Sequence, residues 1–294
     1  ALNPSESSAV AWRRIGFPVY FFVQNRLPDD RASRATATED RTETESRTMP
    51  EIVLGAKQVE SRVVSNSAAS ERYVLLELEN EHVATTCRPG QFVMIRPATG
   101  SSPLLGRPLA VFDTDPGRGT FRLLFLPVGL GTRMLAAAKA GTRTVLGPLG
   151  RPFERFPDAD VHIGIGGGTG AAALYAFATM DAGSGPGGTG ILLFGARGDW
   201  GLLRPDLLEA PRSRGVRVEE STDDGSRGFR GTVVQLLETV LAKLPDGSRP
   251  ALYTAGPEPM MRAVVRLAQQ RNLPCQVSLE NRMACGVGVC RGCV

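Results

Sequence analysis

Three of the five cysteines lie in the last ten residues, with glycines between them. Cys285, Cys290 and Cys293 give the spacing Cys-x4-Cys-x2-Cys. This is the ligand run of a plant-type [2Fe–2S] cluster, whose fourth cysteine normally comes later in the chain. Glycine allows the tight loop that such a cluster needs, because it has no Cβ to clash. The pattern therefore predicts an iron–sulfur site with these three cysteines as ligands.

Other uses of the cysteines fit the pattern less well. A zinc site prefers two Cys-x2-Cys pairs or added histidines, and only Cys290 and Cys293 form such a pair. Disulfide frameworks belong to short secreted chains, whereas this chain has 5 Cys in 294 residues and no cleavable signal pattern. We therefore expect a reducing compartment, the cytoplasm.

The fourth cluster ligand is missing from the sequence, which stops one residue after Cys293. Cys275 begins a predicted strand and Cys87 falls in the other predicted domain, so neither is expected to replace it. We interpret the sequence as truncated at this end, and expect it to hold a cluster poorly unless a further cysteine is supplied.

Composition excludes several classes of protein. The chain is 42% hydrophobic and 22% charged over 294 residues, which suits two ordinary domains. The net charge is +4, but the arginines are scattered rather than clustered, so a nucleic-acid partner is not expected. No apolar run approaches the length of a membrane span, so no membrane association is expected.

The chain divides into four predicted segments. Residues 1–48 are mostly polar and charged beyond a short apolar stretch at 12–23, and predict a flexible N-terminal extension, with the working protein beginning near Met49. Residues 49–153 hold five or six short strands separated by turns, which predict an antiparallel β-barrel. Residues 154–274 alternate strands and helices and predict a Rossmann-like α/β parallel sheet. Residues 275–294 form the cluster segment.

Two features of the first domain favour binding of a diphosphate. Gly131 and Thr132 are expected at the start of a helix that Thr132 caps and Gly141 ends, and helix N-termini attract anions. Arg107, beside the rigid Pro108, lies upstream on a predicted strand. Arg107 could grip the same diphosphate by charge.

A glycine loop follows the first strand of the second domain. Gly166, Gly168 and Ala171 fit the dinucleotide-binding fingerprint. The match is imperfect, because no Asp or Glu ends the next strand, where Arg197 stands instead.

The motifs occur in the order seen in one family. They are Arg-Pro-Leu-Ala at 107–110, Gly-x-Gly-Thr at 129–132, Leu-Gly-Pro-Leu-Gly-Arg-Pro-Phe at 146–153, Gly-Gly-Gly-Thr-Gly at 166–170, Thr-Asp-Asp-Gly-Ser at 222–226, Ala-Gly-Pro-Glu-Pro-Met at 255–260 and the run from Ser278 to Cys293. From about residue 51 onward the sequence resembles the electron-transfer subunit of class 1B, NAD-dependent dihydroorotate dehydrogenase, within the ferredoxin–NADP reductase superfamily.

The resemblance implies an α+β two-domain reductase with FAD in the barrel, NAD in the α/β domain and a [2Fe–2S] cluster in the C-terminal loop. It implies an FMN-containing dihydroorotate dehydrogenase catalytic subunit as partner, in a heterotetramer of two of each. Electrons would pass from FMN through the cluster to FAD and then, as a hydride, to NAD+ in pyrimidine biosynthesis. No protein acid or base is expected to take part, and His82 and His162 are interpreted as structural residues in strands.

The resemblance also implies the cofactor-binding residues. For FAD they are Arg107, Pro108, Leu109, Ala110, Leu124, Phe125, Leu126, Gly131 and Thr132. For NAD they are Gly166, Gly167, Gly168, Thr169, Gly170, Asp224, Gly256 and Pro257. Besides the absent fourth cysteine, the sequence departs from the family at three places, with Ala110 for Ser near the flavin, Ala171 and Ala172 for a Pro pair, and Ala255 for Cys beside the nicotinamide.

Two other functions stay open from the sequence. One is a ferredoxin–NADP reductase-like subunit that serves a hydrogenase or a sulfur-reducing partner. The other is a non-redox nucleotide-binding remnant. Dihydroorotate-dependent reduction of NAD+ would separate the main prediction from the first, and a colourless purified protein would favour the second.

Overall fold

The computed structural model describes residues 20–23, 55–98, 102–180, 189–280 and 282–290. A closed antiparallel barrel is followed by a mainly parallel sheet, so the predicted fold class is confirmed. The barrel order is β2-β3-β6-β5-β4-β7. Its strands are β2 (Lys57–Ala68), β3 (Val74–Glu79), β4 (Phe92–Ile95), β5 (Arg107–Asp115), β6 (Thr120–Phe125) and β7 (Thr142–Leu149).

Two short helices flank the barrel. Asn80 caps α1 (Glu81–Thr86) by accepting a 3.2 Å hydrogen bond from the backbone N–H of Val83. The second helix, α2 (Leu130–Ala136), begins after an extended Gly129 and ends well before Gly141. The prediction that Thr132 caps this helix is therefore wrong. The Thr132 hydroxyl lies inside the first turn and bonds back to the N–H and carbonyl of Gly129, both at 3.1 Å.

The second domain is a seven-stranded sheet of order β1-β13-β12-β8-β9-β10-β11. Every pairing is parallel except that of β1 with β13. Its strands are β1 (Tyr20–Val23), β8 (Val161–Gly167), β9 (Thr189–Ala196), β10 (Arg217–Thr222), β11 (Phe229–Arg230), β12 (Pro250–Ala255) and β13 (Cys275–Ser278). Its helices are α3 (Ala171–Met180), α4 (Glu209–Ser213), α5 (Val233–Ala242) and α6 (Glu258–Gln270). None of the helices in the described ranges is long and apolar enough to cross a membrane.

Successive residues of the central strands are buried in two separate hydrophobic cores, one on each face of the sheet. Ile191 and Leu193 of β9 join the core that contains α5 and α6. Leu192 and Phe194 face the other way, toward α3. This strict alternation follows from the two-residue period of a strand that is covered on both faces.

Helix α3 joins the two domains. Nine of its ten residues are buried, because the helix lies between the sheet and the barrel. The ring of Phe112 in β5 stacks on Tyr175 in α3, with centroids 3.8 Å apart and planes at 16°. Such stacking and the shared apolar core hold the barrel against the sheet.

Strand β1 is a departure from the predicted flexible extension. Tyr20 to Val23 pair antiparallel with Ser278 to Cys275, so this apolar segment extends the sheet. An edge strand leaves backbone groups unpaired, and pairing with β1 satisfies those of β13 on this side. The remainder of residues 1–48 lies outside the described residues.

The histidines have structural contacts, as expected. His162 is buried in β8, and its Nδ1 lies 3.0 Å from the Tyr253 hydroxyl. His82 lies in α1 rather than in a strand, with Nε2 3.0 Å from the Gly55 carbonyl oxygen. Neither lines the cleft between the domains described below.

Candidate cofactor sites

Arg107 and Gly131 come together on the outside of the barrel. A Cβ built on Gly131 would lie 2.6 Å from Nε and 2.8 Å from Cζ of Arg107, so only glycine leaves room for the guanidinium here. Arg107 Nη1 donates to the carbonyl oxygen of Leu105 at 2.7 Å, which holds the side chain over α2. Thr132 is buried, and its hydroxyl is used within the helix turn. The positive charge that would attract an anion here therefore comes from Arg107, whereas Thr132 stabilises the turn that begins α2.

The other residues assigned to FAD contribute little side-chain surface. Leu109 and Phe125 are buried in the barrel core. Leu124 and Leu126 pack into the core shared with α3. These side chains build the wall of the barrel, so contact with a cofactor would come from the backbone.

A cleft lies where the barrel, the parallel sheet and the cluster segment meet. It has about 520 Å³ of empty space, including its open mouth. The barrel contributes Phe92, Pro108 and Ala110, and the cluster segment contributes Met283. The α/β domain contributes Gly170, Ala173, Ala255 and Gly256, together with Ser278, since β13 at the start of the predicted cluster segment belongs to the sheet, and Glu280 follows that strand. Most of these side chains are small, so both walls leave room for flat ring systems.

The glycine loop touches a second loop backbone to backbone. A Cβ on Gly170 would lie 2.4 Å from the carbonyl carbon and oxygen of Ala255. A Cβ on Gly256, whose φ is +143°, would lie 2.6 Å from the carbonyl oxygen of Gly167. Both loops follow the carboxyl ends of neighbouring strands, which is where dinucleotides bind in open α/β sheets. Pro257 then precedes the first residue of α6.

The glycines of the loop serve different purposes. A Cβ on Gly166 would lie 3.0 Å from Phe194 Cδ1, and one on Gly167 would lie 2.8 Å from Met260 Sδ, so these neighbouring side chains would have to shift to admit a larger residue. Gly168 has φ +60°, and the nearest atom to its Cβ position is the Tyr73 hydroxyl oxygen at 3.8 Å. Gly168 is therefore required for its backbone conformation, and it leaves open space in front of the loop.

Glu280 is a cleft residue that the sequence analysis did not single out. Among the described residues that line the cleft, it is the one with an ionisable side chain. Solvent reaches it, yet desolvation by the surrounding protein raises the pKa of its carboxyl group, and a hydrogen bond with the Thr169 side chain opposes that rise. Glu280 belongs to the motif that runs from Ser278 to Cys293, but only the packing of β13 beside the glycine loop shows that it lines the cleft.

Asp224 lies apart from the cleft, in the turn between β10 and β11. It is exposed and accepts hydrogen bonds from the Ser226 hydroxyl at 2.6 Å and the Ser226 N–H at 2.9 Å, which lower the pKa of its carboxyl group. Because β9 separates β10 from β8, Asp224 lies two strands away from the glycine loop along the same carboxyl edge. An extended ligand along this edge could reach both.

The cluster loop folds around the sulfur of Cys285. Burial raises the pKa of this thiol, but hydrogen bonds from Cys290 and from the backbone of Val287 and Gly288 outweigh it and lower the pKa to about 7. Gly286 has φ +77°, and a Cβ there would lie 2.4 Å from Met94 Cγ. The loop thus rests on the barrel and directs backbone N–H groups at a sulfur, as iron–sulfur ligands require.

The described residues contain only part of the predicted ligand set. Cys285 is half-buried and Cys290 is exposed in the cluster loop, whereas Cys293 lies outside the described residues. Within the part of the chain that the structure describes, no three His, Cys, Asp or Glu side chains converge on a metal position. Cys87 and Cys275 are 6% and 3% exposed in two different cores, and burial raises the pKa of each thiol to about 12. Neither is placed to act as a ligand in the loop.

Sequence comparison identifies the family. No family model matches the chain. The electron transfer subunit of dihydroorotate dehydrogenase B (NAD(+)) from Geobacillus thermodenitrificans is 35% identical over 235 residues, which are 79% of this chain and 86% of the relative. The subunit of the same name from Desulforamulus reducens is 33% identical over 241 residues, or 81% and 88% of the two chains. This chain belongs to the dihydroorotate dehydrogenase B electron transfer subunits.

Membership of the dihydroorotate dehydrogenase B electron transfer subunits confirms the family predicted from the motifs. A solved NADH-dependent reduced ferredoxin–NADP oxidoreductase has a similar structure, with a TM-score of 0.65 and 28% identity. The match covers 78% of this chain and 79% of that one. It includes both domains, in agreement with the predicted superfamily.

Two of the three places where the sequence departs from the pattern that the resemblance implies lie in the cleft. Ala110, for the usual Ser, and Ala255, for the usual Cys, line opposite walls. Ala171 and Ala172, for the usual Pro pair, are buried in α3 and fit its dense packing. Neither alanine in the cleft can donate a hydrogen bond from its side chain, so the cleft is less polar than the family pattern implies.

Proposed function

We propose that this chain carries electrons from an FMN-containing dihydroorotate dehydrogenase catalytic subunit, through a [2Fe–2S] cluster and FAD, to NAD+. One observation carries the proposal: Pro108 and Ala110 of the barrel, Gly170 and Gly256 of the sheet and Met283 of the cluster segment all line one cleft. A flavin and a nicotinamide held by these walls would be neighbours, and the cluster loop would lie beside them.

The residues present fit FAD. The Arg107 guanidinium lies against Gly131, where it could neutralise a diphosphate. The cleft beyond Pro108 and Ala110 is bounded by small and apolar side chains, which suits a flavin ring. Bound FAD would accept electrons singly and release them as a hydride. The chain itself would hold the ring and exclude water on the barrel side.

The exposed surface around the cluster loop suits contact with a protein partner. Val289, beside the exposed Cys290, is 81% exposed. Leu104 is 71% exposed and, with Leu105, lines the same depression as Cys285. Exposed apolar side chains gathered at one place are typical of an interaction surface. We propose that the catalytic subunit docks here, in a complex of two copies of each subunit located in the cytoplasm, where the free thiols would stay reduced.

The proposal is tested by mixing the purified chain, supplied with a further cysteine so that four cluster ligands are present, with its FMN-containing partner under anaerobic conditions and adding dihydroorotate and NAD+. We expect absorbance at the NADH maximum to rise only when both proteins are present. Light scattering on the same mixture would measure the mass of the complex. Reduction of NAD+ by a different electron donor, with none from dihydroorotate, would contradict the proposed partner. A colourless chain without flavin would contradict electron transfer altogether.

Arg107→Ala is expected to weaken FAD binding by about 10- to 150-fold, because it removes a charge-assisted contact worth about 1.5–3 kcal/mol. The barrel should keep its thermal midpoint, since the side chain lies outside its core. Flavin per chain after gel filtration and the dissociation constant from flavin fluorescence measure the effect. Arg133→Ala is the matched control, because Arg133 is an exposed arginine on α2, the helix over which the Arg107 side chain lies. Equal flavin content in Arg107→Ala and the parent protein would show that Arg107 does not bind FAD.

A further inference from the structure

The turn between β2 and β3 of the barrel reaches across to the parallel sheet. Its Ala69 carbonyl oxygen accepts a 2.8 Å hydrogen bond from the backbone N–H of Arg204. The Ser70 hydroxyl oxygen accepts hydrogen bonds from the N–H groups of Arg72 and Tyr73, both at 3.1 Å. The turn is therefore ordered and fixed to the α/β domain. Its last residue, Tyr73, provides the atom nearest to the Cβ position of Gly168 in the glycine loop.

Arg72 at the tip of this turn holds an uncompensated charge. Its guanidinium carbon lies 4.9 Å from the centroid of the Trp200 ring, a cation–π distance. Among the described residues, no carboxylate lies within ion-pair distance of Arg72, whereas nearby Arg204 and Arg227 pair with Asp206 and Glu220. A cation held by an aromatic ring rather than by a carboxylate keeps its charge available to an anion.

Trp200 stands at the carboxyl edge of the sheet, in the turn after β9. It is 36% exposed, and backbone hydrogen bonds from Gly201 to Gly198 and from Leu202 to Asp199 form the turn around it. The backbone N–H of Asp199 donates to the Ser226 hydroxyl oxygen at 2.8 Å, and the same hydroxyl donates to Asp224 at 2.6 Å. A Cβ on Gly198 would lie 2.8 Å from Trp200 Nε1 and 2.6 Å from Asp224 Oδ2. The Trp200 indole N–H and the Asp224 carboxylate therefore both lie beside Gly198.

These groups match the chemistry of an adenosine diphosphate. A diphosphate needs positive charge, a purine binds to aromatic faces and edges, and a ribose diol donates hydrogen bonds to a carboxylate. We propose that Arg72 and Trp200 form the adenosine-diphosphate subsite of the dinucleotide site, with Arg72 contacting the diphosphate and Trp200 contacting the purine. The proposal rests on NAD binding as part of the proposed function. It makes the barrel, through Arg72, a direct contributor to the dinucleotide site.

The chain contains two tryptophans, Trp12 and Trp200, so Trp12→Phe leaves Trp200 as the single indole reporter. ADP-ribose, which lacks the nicotinamide, is titrated into this FAD-loaded variant while Trp200 fluorescence is followed. We expect a saturable change in fluorescence. NADH should produce the same change, with energy transfer from the indole to its nicotinamide.

Arg72→Ala in the Trp12→Phe background should raise the dissociation constant for ADP-ribose by about tenfold, as expected for loss of one charge-assisted contact. Arg72→Lys keeps the charge and should restore most of the affinity. Arg88→Ala is the matched control, because Arg88 is also an exposed barrel arginine without an ion pair in the described ranges. Trp200→Phe, followed by calorimetry, should weaken binding by about threefold, since a smaller ring remains.

Three results would overturn the subsite. The first is an equal dissociation constant for ADP-ribose in Arg72→Ala and Arg88→Ala. The second is a fall in thermal midpoint and flavin content of Arg72→Ala without a specific loss of ADP-ribose affinity. That outcome is expected if Arg72 only holds the β2–β3 turn against Trp200. The third is NADH binding that reduces FAD but leaves Trp200 fluorescence unchanged, which would retain the proposed function and place the adenosine elsewhere. Failure of the FAD-loaded parent to bind either probe would instead contradict NAD binding itself, and the subsite with it.

Discussion

Gly168→Val is expected to reduce NADH-driven reduction of bound FAD by about 100-fold or more while leaving the flavin in place. Gly168 has φ +60°, a conformation that a β-branched residue adopts only with strain of about 1–3 kcal/mol. The added side chain would also occupy the open space in front of the loop, where the dinucleotide backbone has to approach. The strain lowers the stability of the fold, whereas the blocked approach alone accounts for the slower reaction, since a 100-fold fall in rate corresponds to about 3 kcal/mol. Stopped-flow absorbance of the flavin after mixing with NADH measures the rate.

Gly247→Val provides the matched control for this substitution. Gly247 has φ +83° and no other atom within 4 Å of its Cβ position, so the variant has similar backbone strain at a place remote from the glycine loop. Its thermal midpoint should fall about as much as that of Gly168→Val, while its FAD reduction by NADH stays near the parent rate. Unchanged FAD reduction in Gly168→Val would show that the loop is only a structural turn. Equal losses in both variants would assign the effect to strain alone.

Cys285→Ser is expected to remove most of the iron and sulfide from protein that is supplied with a fourth cysteine ligand and purified with its catalytic partner. The hydrogen bonds from Cys290 and from the backbone of Val287 and Gly288 stabilise a thiolate at position 285. A serine hydroxyl stays protonated there and is a poor ligand for iron in a sulfide cluster. Iron and sulfide per chain, with electron paramagnetic resonance after reduction, measure the loss. Transfer of electrons from dihydroorotate to NAD+ should fall with it.

Cys87→Ala is the control, because Cys87 lies in the barrel core and its thiol pKa is raised to about 12 by burial. It should keep the parent amounts of iron and sulfide and lose only some thermal stability, since the change leaves a small cavity. A full cluster in Cys285→Ser, or an equal loss in Cys87→Ala, would contradict the assignment of Cys285 as a ligand. FAD content should be the same in all three proteins, because Cys285 lies outside the predicted flavin residues.

The sequence by itself determined the features that depend on neighbours along the chain. The strand pattern of the barrel, the change to alternating strands and helices, and the glycine loop after β8 all follow from local periodicity and backbone preference. The cysteine spacing likewise predicted the iron–sulfur site, because the three predicted ligands lie close together in the sequence. Local reasoning erred over Thr132, because a hydroxyl in the first turn can bond back to the backbone as well as cap it from outside. It also missed β1, whose formation depends on a distant partner strand.

Only the tertiary structure decided which residues share a site. Arg107 reaches Gly131 because the barrel closes β5 near α2, and Glu280 enters the cleft because β13 ends beside the glycine loop. Arg72 meets Trp200 across the two domains, and nothing in the sequence near either residue indicates the other. Such contacts join residues far apart in the chain, so their existence depends on how α3 and its apolar core orient the barrel against the sheet. Short-range patterns record the chemistry of each segment, whereas packing between domains determines which segments act together.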